Sequence, residues 1–169
     1  MSSKFLTLDD VKTDSKSVLV RVDINSPMKP GTEEITDESR IVAILDTLKD
    51  LKNARTVILS HQGRPGEQDF TSMHPHSRIL QKYLGGRDRF VQDIIGPAAI
   101  EAIRNLKNGE VLLLDNVRLL SEETLEGSPE LLAKTHLVRR LSPLFELYVN
   151  DAYPAAHRSQ TSMVAFPEV

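Results

Sequence analysis

The chain has 169 residues, no cysteine and a net charge of −3, with 40% hydrophobic and 27% charged residues. That is enough chain for one domain with its own core, and the mild acidity gives no global attraction to nucleic acid or a membrane surface. Disulfides and thiolate metal sites are excluded. With no leader-like start and no membrane-length apolar run, a cytoplasmic protein is expected.

The first 16 residues are a polar lead-in with a short Phe5-Leu6 contact, expected to pack on a sheet edge. Residues 18–22 then form a β-branched apolar run that reads as a central strand of a parallel sheet, where both faces are covered. It stops at two short polar side chains, Asp23 and Asn25, and a Pro- and Gly-rich turn follows. Thr36 or Asp37 caps a helix to about Lys52, with Ile41, Ile44, Leu45, Leu48 and Leu51 at helical spacing and Arg40 in its first turn. Residues 56–60 make a second buried strand, ending in His61-Gln-Gly-Arg-Pro-Gly66.

The alternation continues. A helix over 75–84 is closed by Gly85-Gly86, and a short strand at 90–91 precedes a helix that starts at Pro97 and ends at Asn108-Gly109. Residues 111–114 form a strand ending in Asp115-Asn-Val-Arg118. A Glu-rich stretch at 122–126, read as a solvated loop, leads to a long helix from Pro129 to about Leu141. Residues 147–149 form the last strand, ending in Asn150-Asp151 and then Ala-His157-Arg158. Strand and helix alternating throughout imply right-handed βαβ crossovers. The expected fold is α/β: a three-layer, doubly wound (Rossmann-like) parallel sheet of about six strands in a single domain spanning 1–169.

In such a sheet all carboxyl ends of the strands lie on one edge, where ligands bind. Asp23, Asn25, Arg40, His61, Arg64, Arg118, Asp151, His157 and Arg158 all fall at or beside that edge. Four arginines and two histidines would make a local cationic basin for a small phosphate-bearing anion, since the planar guanidinium matches phosphate and carboxylate oxygens. Asp23 and Asn25 suit a hydroxyl on the same molecule. His74 and His76 read as solvated or capping residues, and His136 as a helix residue on the surface or at an interface. The chain has no Walker A loop, no dinucleotide glycine fingerprint and no nucleophile elbow. The basin is therefore a phosphate site without a nucleotide cradle, and no metal ligand set is read. A receiver-like signalling module or a stand-alone phosphate-ligand-binding protein are the alternatives.

The strand-end motifs resemble those of one family. Arg21-Val-Asp-Ile-Asn-Ser-Pro27 is similar to the RVDxNxP segment of the phosphoglycerate kinases. Ser60-His-Gln-Gly-Arg-Pro65 is similar to their SHxGRP loop, Leu114-Asp-Asn-Val-Arg118 to their LxNxR segment, and Tyr148-Val-Asn-Asp-Ala152 with Ala156-His-Arg158 to their VNDA…AHR segment. The wording looks most like archaeal members. Gln62 departs from the usual apolar residue, Asp115 from glutamate, and Tyr153-Pro154 from Phe-Gly.

The resemblance implies the amino-terminal, substrate-binding half of a glycolytic phosphotransferase that moves a phosphoryl group between 1,3-bisphosphoglycerate and ADP. Asp23 and Asn25 would hold the hydroxyl and carboxylate end of 3-phosphoglycerate. His61, Arg64, Arg118 and Arg158 would grip the non-transferred phosphate, and Arg40 would be catalytic, stabilising the phosphoryl group in flight. Mg-ATP or Mg-ADP would be bound by a carboxyl-terminal nucleotide domain that this chain lacks, with no cofactor in the chain itself. Alone it would be catalytically inactive.

Overall fold

A computed structural model describes residues 6–155 and 159–169. Five strands form one parallel sheet: β1 (Ser17–Val22), β2 (Arg55–Leu59), β3 (Asp88–Val91), β4 (Val111–Leu114) and β5 (Leu147–Asp151). Their order is β3-β4-β2-β1-β5. The α/β fold expected is the one found, with five strands among the described residues where about six were expected. β1 is interior, paired with β2 through Arg21↔Leu59 and with β5 through Val22↔Asp151, but the middle place belongs to β2.

Period-two alternation divides each strand between two cores. Val18, Val20, Val22, Ile58 and Leu113 face one side, where they pack with Ile41, Leu48, Ile79, Leu80 and Leu84. Those partners come from helices α1 (Ser39–Ala43), α2 (Leu45–Asp50) and α3 (His74–Leu84). Leu19, Val57, Leu59, Leu112 and Leu114 face the other side, against Ala99, Ile103, Leu132, Leu137, Leu141 and Phe166. Here the covering elements are α4 (Pro97–Arg104), α5 (Pro129–Leu132), α6 (His136–Leu141) and α7 (Thr161–Val164). Three layers result, as expected. The loops leaving β1 and β2 therefore climb to one face of the sheet, while the loop leaving β4 climbs to the other. A crevice opens where neighbouring connections diverge, beyond the carboxyl ends of the strands.

Several boundaries differ from the periodicity reading. The helix expected to be capped by Thr36 or Asp37 and to run to about Lys52 is divided at Ile44 into α1 and α2. Asp37 still serves its start, since its Oδ1 accepts the Ser39 amide at 2.8 Å. The helix expected from Pro129 to Leu141 breaks because Thr135 is extended, at φ −64° and ψ 157°. The Glu122 carboxylate then caps α6, accepting the His136 and Leu137 amides at 3.0 and 2.8 Å. Anionic side chains belong at that end of a helix. The 122–126 stretch is therefore not simply solvated: Glu122 caps a helix and Glu123 is fully buried. Helix α7 has no counterpart in the periodicity. Phe5 lies outside the described residues, and Leu6 beside it is exposed.

Candidate functional site

The strand-end residues converge. Asp23, Asn25, Arg40, His61, Gly63, Arg64, Arg118 and Ala155 line one cleft of about 390 Å³, with Glu67, Asp69 and Pro154 completing the wall. Contributions thus come from the ends of β1, β2, β4 and β5, as a parallel sheet with all carboxyl ends on one edge requires. His157 and Arg158 lie outside the described residues. Asp151 does not join the group: its Oδ2 accepts the Thr47 hydroxyl at 2.6 Å and it lines a separate hollow beside β5.

The β1 side of the cleft is tightly tied. Asp23 is almost buried, and its Oδ1 receives both Arg40 (Nη1, 3.0 Å) and the Asn25 amide (3.2 Å). Asn25 Oδ1 accepts the Gly63 amide at 2.9 Å. An acceptor so engaged leaves the side-chain amide of Asn25 as a donor group for a ligand. Arg40, half-exposed, is held over Asp23 at the start of α1.

The β2 side is organised by Gly63. Its φ of +63° is left-handed, and a Cβ there would lie 2.6 Å from the Phe70 nitrogen and 2.7 Å from the Asp69 carbonyl. Only glycine fits. Its carbonyl accepts Arg118 Nη1, which orients a guanidinium that is otherwise buried. Arg118 is delivered by a short turn after β4, where Asn116 Oδ1 accepts the Arg118 amide at 3.1 Å. The Asn116 side-chain nitrogen donates to the carbonyls of Gln62 and Thr71, each at 2.7 Å, and so fastens the β4 turn to the loop after β2. Arg64, by contrast, is exposed at the rim.

Behind the cleft lies a charged cluster hidden within the apolar run of β1. Arg21 has no exposed surface, yet it donates from Nε to Ser162 Oγ at 2.7 Å and from Nη1 to the Val22 carbonyl. Its Nη2 reaches His61 Nδ1 at 3.0 Å. A guanidinium only donates, so Nδ1 must accept and the ring hydrogen sits on Nε2. Glu123, equally buried, lies 3.7 Å from Arg21 and accepts from Ser162 through both oxygens, at 2.7 and 2.8 Å. Burial pushes the Glu123 carboxyl up, while Arg21, Ser162 and Arg118 pull it down. Acceptor-only bonding at both oxygens fits the carboxylate, paired with Arg21.

Sequence reasoning missed four residues here. Glu67 and Asp69 bring negative charge to the cleft, so its three described arginines (Arg40, Arg64 and Arg118) meet three carboxylates, counting Asp23. The expectation of a simply cationic basin is corrected accordingly; the loop turn at Gly63 is what folds Asp69 back toward the site. Gln62 and His76 are both fully buried, and His76 Nε2 lies 3.0 Å from Gln62 Oε1. Burial pushes the His76 imidazole down to about 4, the Ile24 backbone pulling the other way. His76 is therefore neither solvated nor a cap. The exposed His74 stacks on Phe90 at 5.6 Å, and His136 sits exposed at the start of α6.

Among the described residues no helix is long and apolar enough to cross a membrane, and no group of three or more histidines and carboxylates is placed to hold a metal.

A family model described as phosphoglycerate kinase matches residues 8–169. The phosphoglycerate kinase of Sulfolobus acidocaldarius is 50% identical over 165 residues, covering 96% of this chain and 40% of the relative. That of Methanothermus fervidus is 51% identical over 166 residues, covering 97% and 40%. The crystal structure of phosphoglycerate kinase from Pyrococcus horikoshii OT3 superposes with a TM-score of 0.91 at 41% identity, over 96% of this chain and 40% of that one. The chain spans about 40% of the length of these relatives. Matched along nearly its whole length by the family model, and about half identical to these archaeal enzymes, the chain belongs to the phosphoglycerate kinase family.

Proposed function

We propose that this chain is the 3-phosphoglycerate-binding half of a phosphoglycerate kinase, serving reversible phosphoryl transfer between 1,3-bisphosphoglycerate and ADP. The observation that carries the reading is the meeting of Arg64, Arg118 and His61 with Asp23, Asn25 and Arg40 in one cleft. His61 Nε2–H and the two guanidinium groups take the non-transferred phosphate, with Arg158 as a fourth ligand carried over from the family motif. Asp23 accepts the ligand hydroxyl, and the Asn25 amide donates to the hydroxyl and carboxylate end. Arg40 lies on that same side, where it neutralises charge on the phosphoryl group as it crosses. The acceptor carboxylate is already ionised at neutral pH, so no general base is required; positioning and charge neutralisation supply the chemistry.

The cleft does not suit Mg-nucleotide. Asp23 is engaged by Arg40, and the chain has no glycine-rich phosphate loop. We assign the nucleotide to the part of the protein beyond the 40% that this chain represents, and expect the chain alone to bind substrate without turning it over.

Calorimetric titration with 3-phosphoglycerate at low salt tests the reading. A saturable heat at millimolar ligand is expected, weakened roughly 10- to 100-fold by Arg64→Ala, the range for losing a charge-assisted contact of about 1.5–3 kcal/mol. Arg64 is exposed, so its removal leaves the fold intact. No heat from the unaltered chain, or an unchanged affinity in the variant, refutes the assignment.

A further inference from the structure

Gln62 stands between the two halves of the cleft, and every polar atom of its buried amide is engaged. Oε1 accepts the Ser26 amide at 2.9 Å, and Nε2 donates to the Ser26 and Asp69 carbonyls at 3.1 and 3.3 Å. Backbone partners fix this orientation without ambiguity, because an N–H can only donate and a carbonyl can only accept. Oε1 therefore also faces His76 Nε2, 3.0 Å away, and that nitrogen must carry the ring hydrogen. His76 comes from α3, so the amide is held from a rigid element rather than from a loop.

The consequence is geometric. Ser26 follows directly on Asn25, and Gln62 lies directly between His61 and Gly63. A two-point clamp on Ser26 sets the distance from the Asp23–Asn25 side of the cleft to the His61–Arg64 side. Gly63 N–H to Asn25 Oδ1, at 2.9 Å, bridges the same two loops. Deep burial strengthens each of the four bonds and makes loss of any of them costly.

We infer that Gln62, oriented by His76, is a positioning and specificity-determining couple: it locks the hydroxyl-side loop to the phosphate-side loop, so that the cleft selects ligands by the separation between their phosphate and their carboxylate–hydroxyl end. The inference rests on the proposed substrate reading. Neither residue touches ligand; both act through Ser26, Asn25 and Gly63.

The test compares a ligand that spans both loops with one that does not. Affinities for 3-phosphoglycerate and for inorganic phosphate are measured calorimetrically on the unaltered chain, Gln62→Leu and Gln62→Glu. Gln62→Leu removes all four bonds. Gln62→Glu keeps the acceptor bonds but sets a carboxylate against the Ser26 and Asp69 carbonyls, and provides a second variant where the first fails to fold. Each is expected to weaken 3-phosphoglycerate about tenfold while moving inorganic phosphate less than about twofold, since misplacement of one loop penalises only a two-point ligand. A merely structural role would weaken both ligands together, and that parallel loss overturns the inference. Unchanged selectivity in a folded variant also overturns it while leaving the substrate reading intact. Absence of 3-phosphoglycerate binding by the unaltered chain removes the substrate reading itself, and the inference with it.

Discussion

Replacing Gly63 by alanine tests the idea that one backbone position builds the cleft. The left-handed φ of +63° costs a residue with a Cβ about 1–2 kcal/mol. The Cβ would also stand 2.6–2.7 Å from backbone atoms of Asp69 and Phe70, whereas ordinary contact begins near 3.4 Å. Backbone cannot swing aside as a side-chain tip can, so overpacking adds about 1–3 kcal/mol. The total, roughly 2–5 kcal/mol, should lower the urea midpoint by about 1 M or more at the usual slopes for a chain of this size. Gly66 is the control, because its φ of +91° is equally left-handed but a Cβ there meets nothing within 4 Å. Gly66→Ala should cost only the conformational part. Equal midpoints for the two variants would refute the reasoning, since the close approach at Gly63 would then carry no energy.

The remaining predictions concern buried and linked charges. His76, with its folded-state value lowered to about 4 from 6.5, gives stability that is full above pH 6.5 and declines as pH falls toward 4, by about 3 kcal/mol at most. Denaturation midpoints across that window should show the decline, and His76→Asn should remove it; an unchanged slope contradicts the neutral buried imidazole. Glu123→Ala should destabilise by about 3–5 kcal/mol by stranding Arg21, while the apolar double replacement Arg21→Met with Glu123→Leu should cost less than either single change. Chemical unfolding of Glu123→Ala, the two single replacements and the double decides the point, and additive losses would sink the pairing. Glu146 is held down at about 2 by Lys16 and the Ser17 amide and hydroxyl. The stability it lends is present above the ordinary value of 4.5 and lost as pH falls through 2, so Glu146→Gln should flatten the melting-temperature profile over that interval.

Most of the sheet was legible from residues 18–22, 56–60, 111–114 and 147–149 because buried parallel strands are continuous apolar runs bounded by polar chemistry. The edge partner β3 was underestimated, since Asp88 and Arg89 carry no apolar signal. Helix spacing located Ile41 to Leu51 but not the interruption at Ile44, for which the local sequence offers no breaker. Asp23, Asn25, His61, Arg64 and Arg118 were legible by position, each within a few residues of a strand's end, and Arg40 by its place in the first turn of the following helix. Arg21 was hidden by the opposite effect: a cation inside an apolar run becomes intelligible only once its partners arrive from elsewhere in the chain. Gln62 was visible as a departure from the family pattern, yet its role depends on Ser26 and His76, which no spacing rule connects to it. Glu67 and Asp69 looked like ordinary loop residues until the turn at Gly63 brought them round.

The buried position of Arg21 also bears on the order in which the molecule can be assembled. The hydroxyl that receives Arg21 Nε lies 141 residues beyond it in the chain. Glu123, its countercharge, lies downstream as well. Contacts of such separation close late, after the loop entropy between them has been overcome. Until α7 docks, the strand that carries Asp23 and Asn25 holds a guanidinium that the sheet cannot bury without penalty. His61, which shares that guanidinium, waits on the same event. A segment far downstream thus completes β1, and the cleft gains its final shape only once α7 has docked.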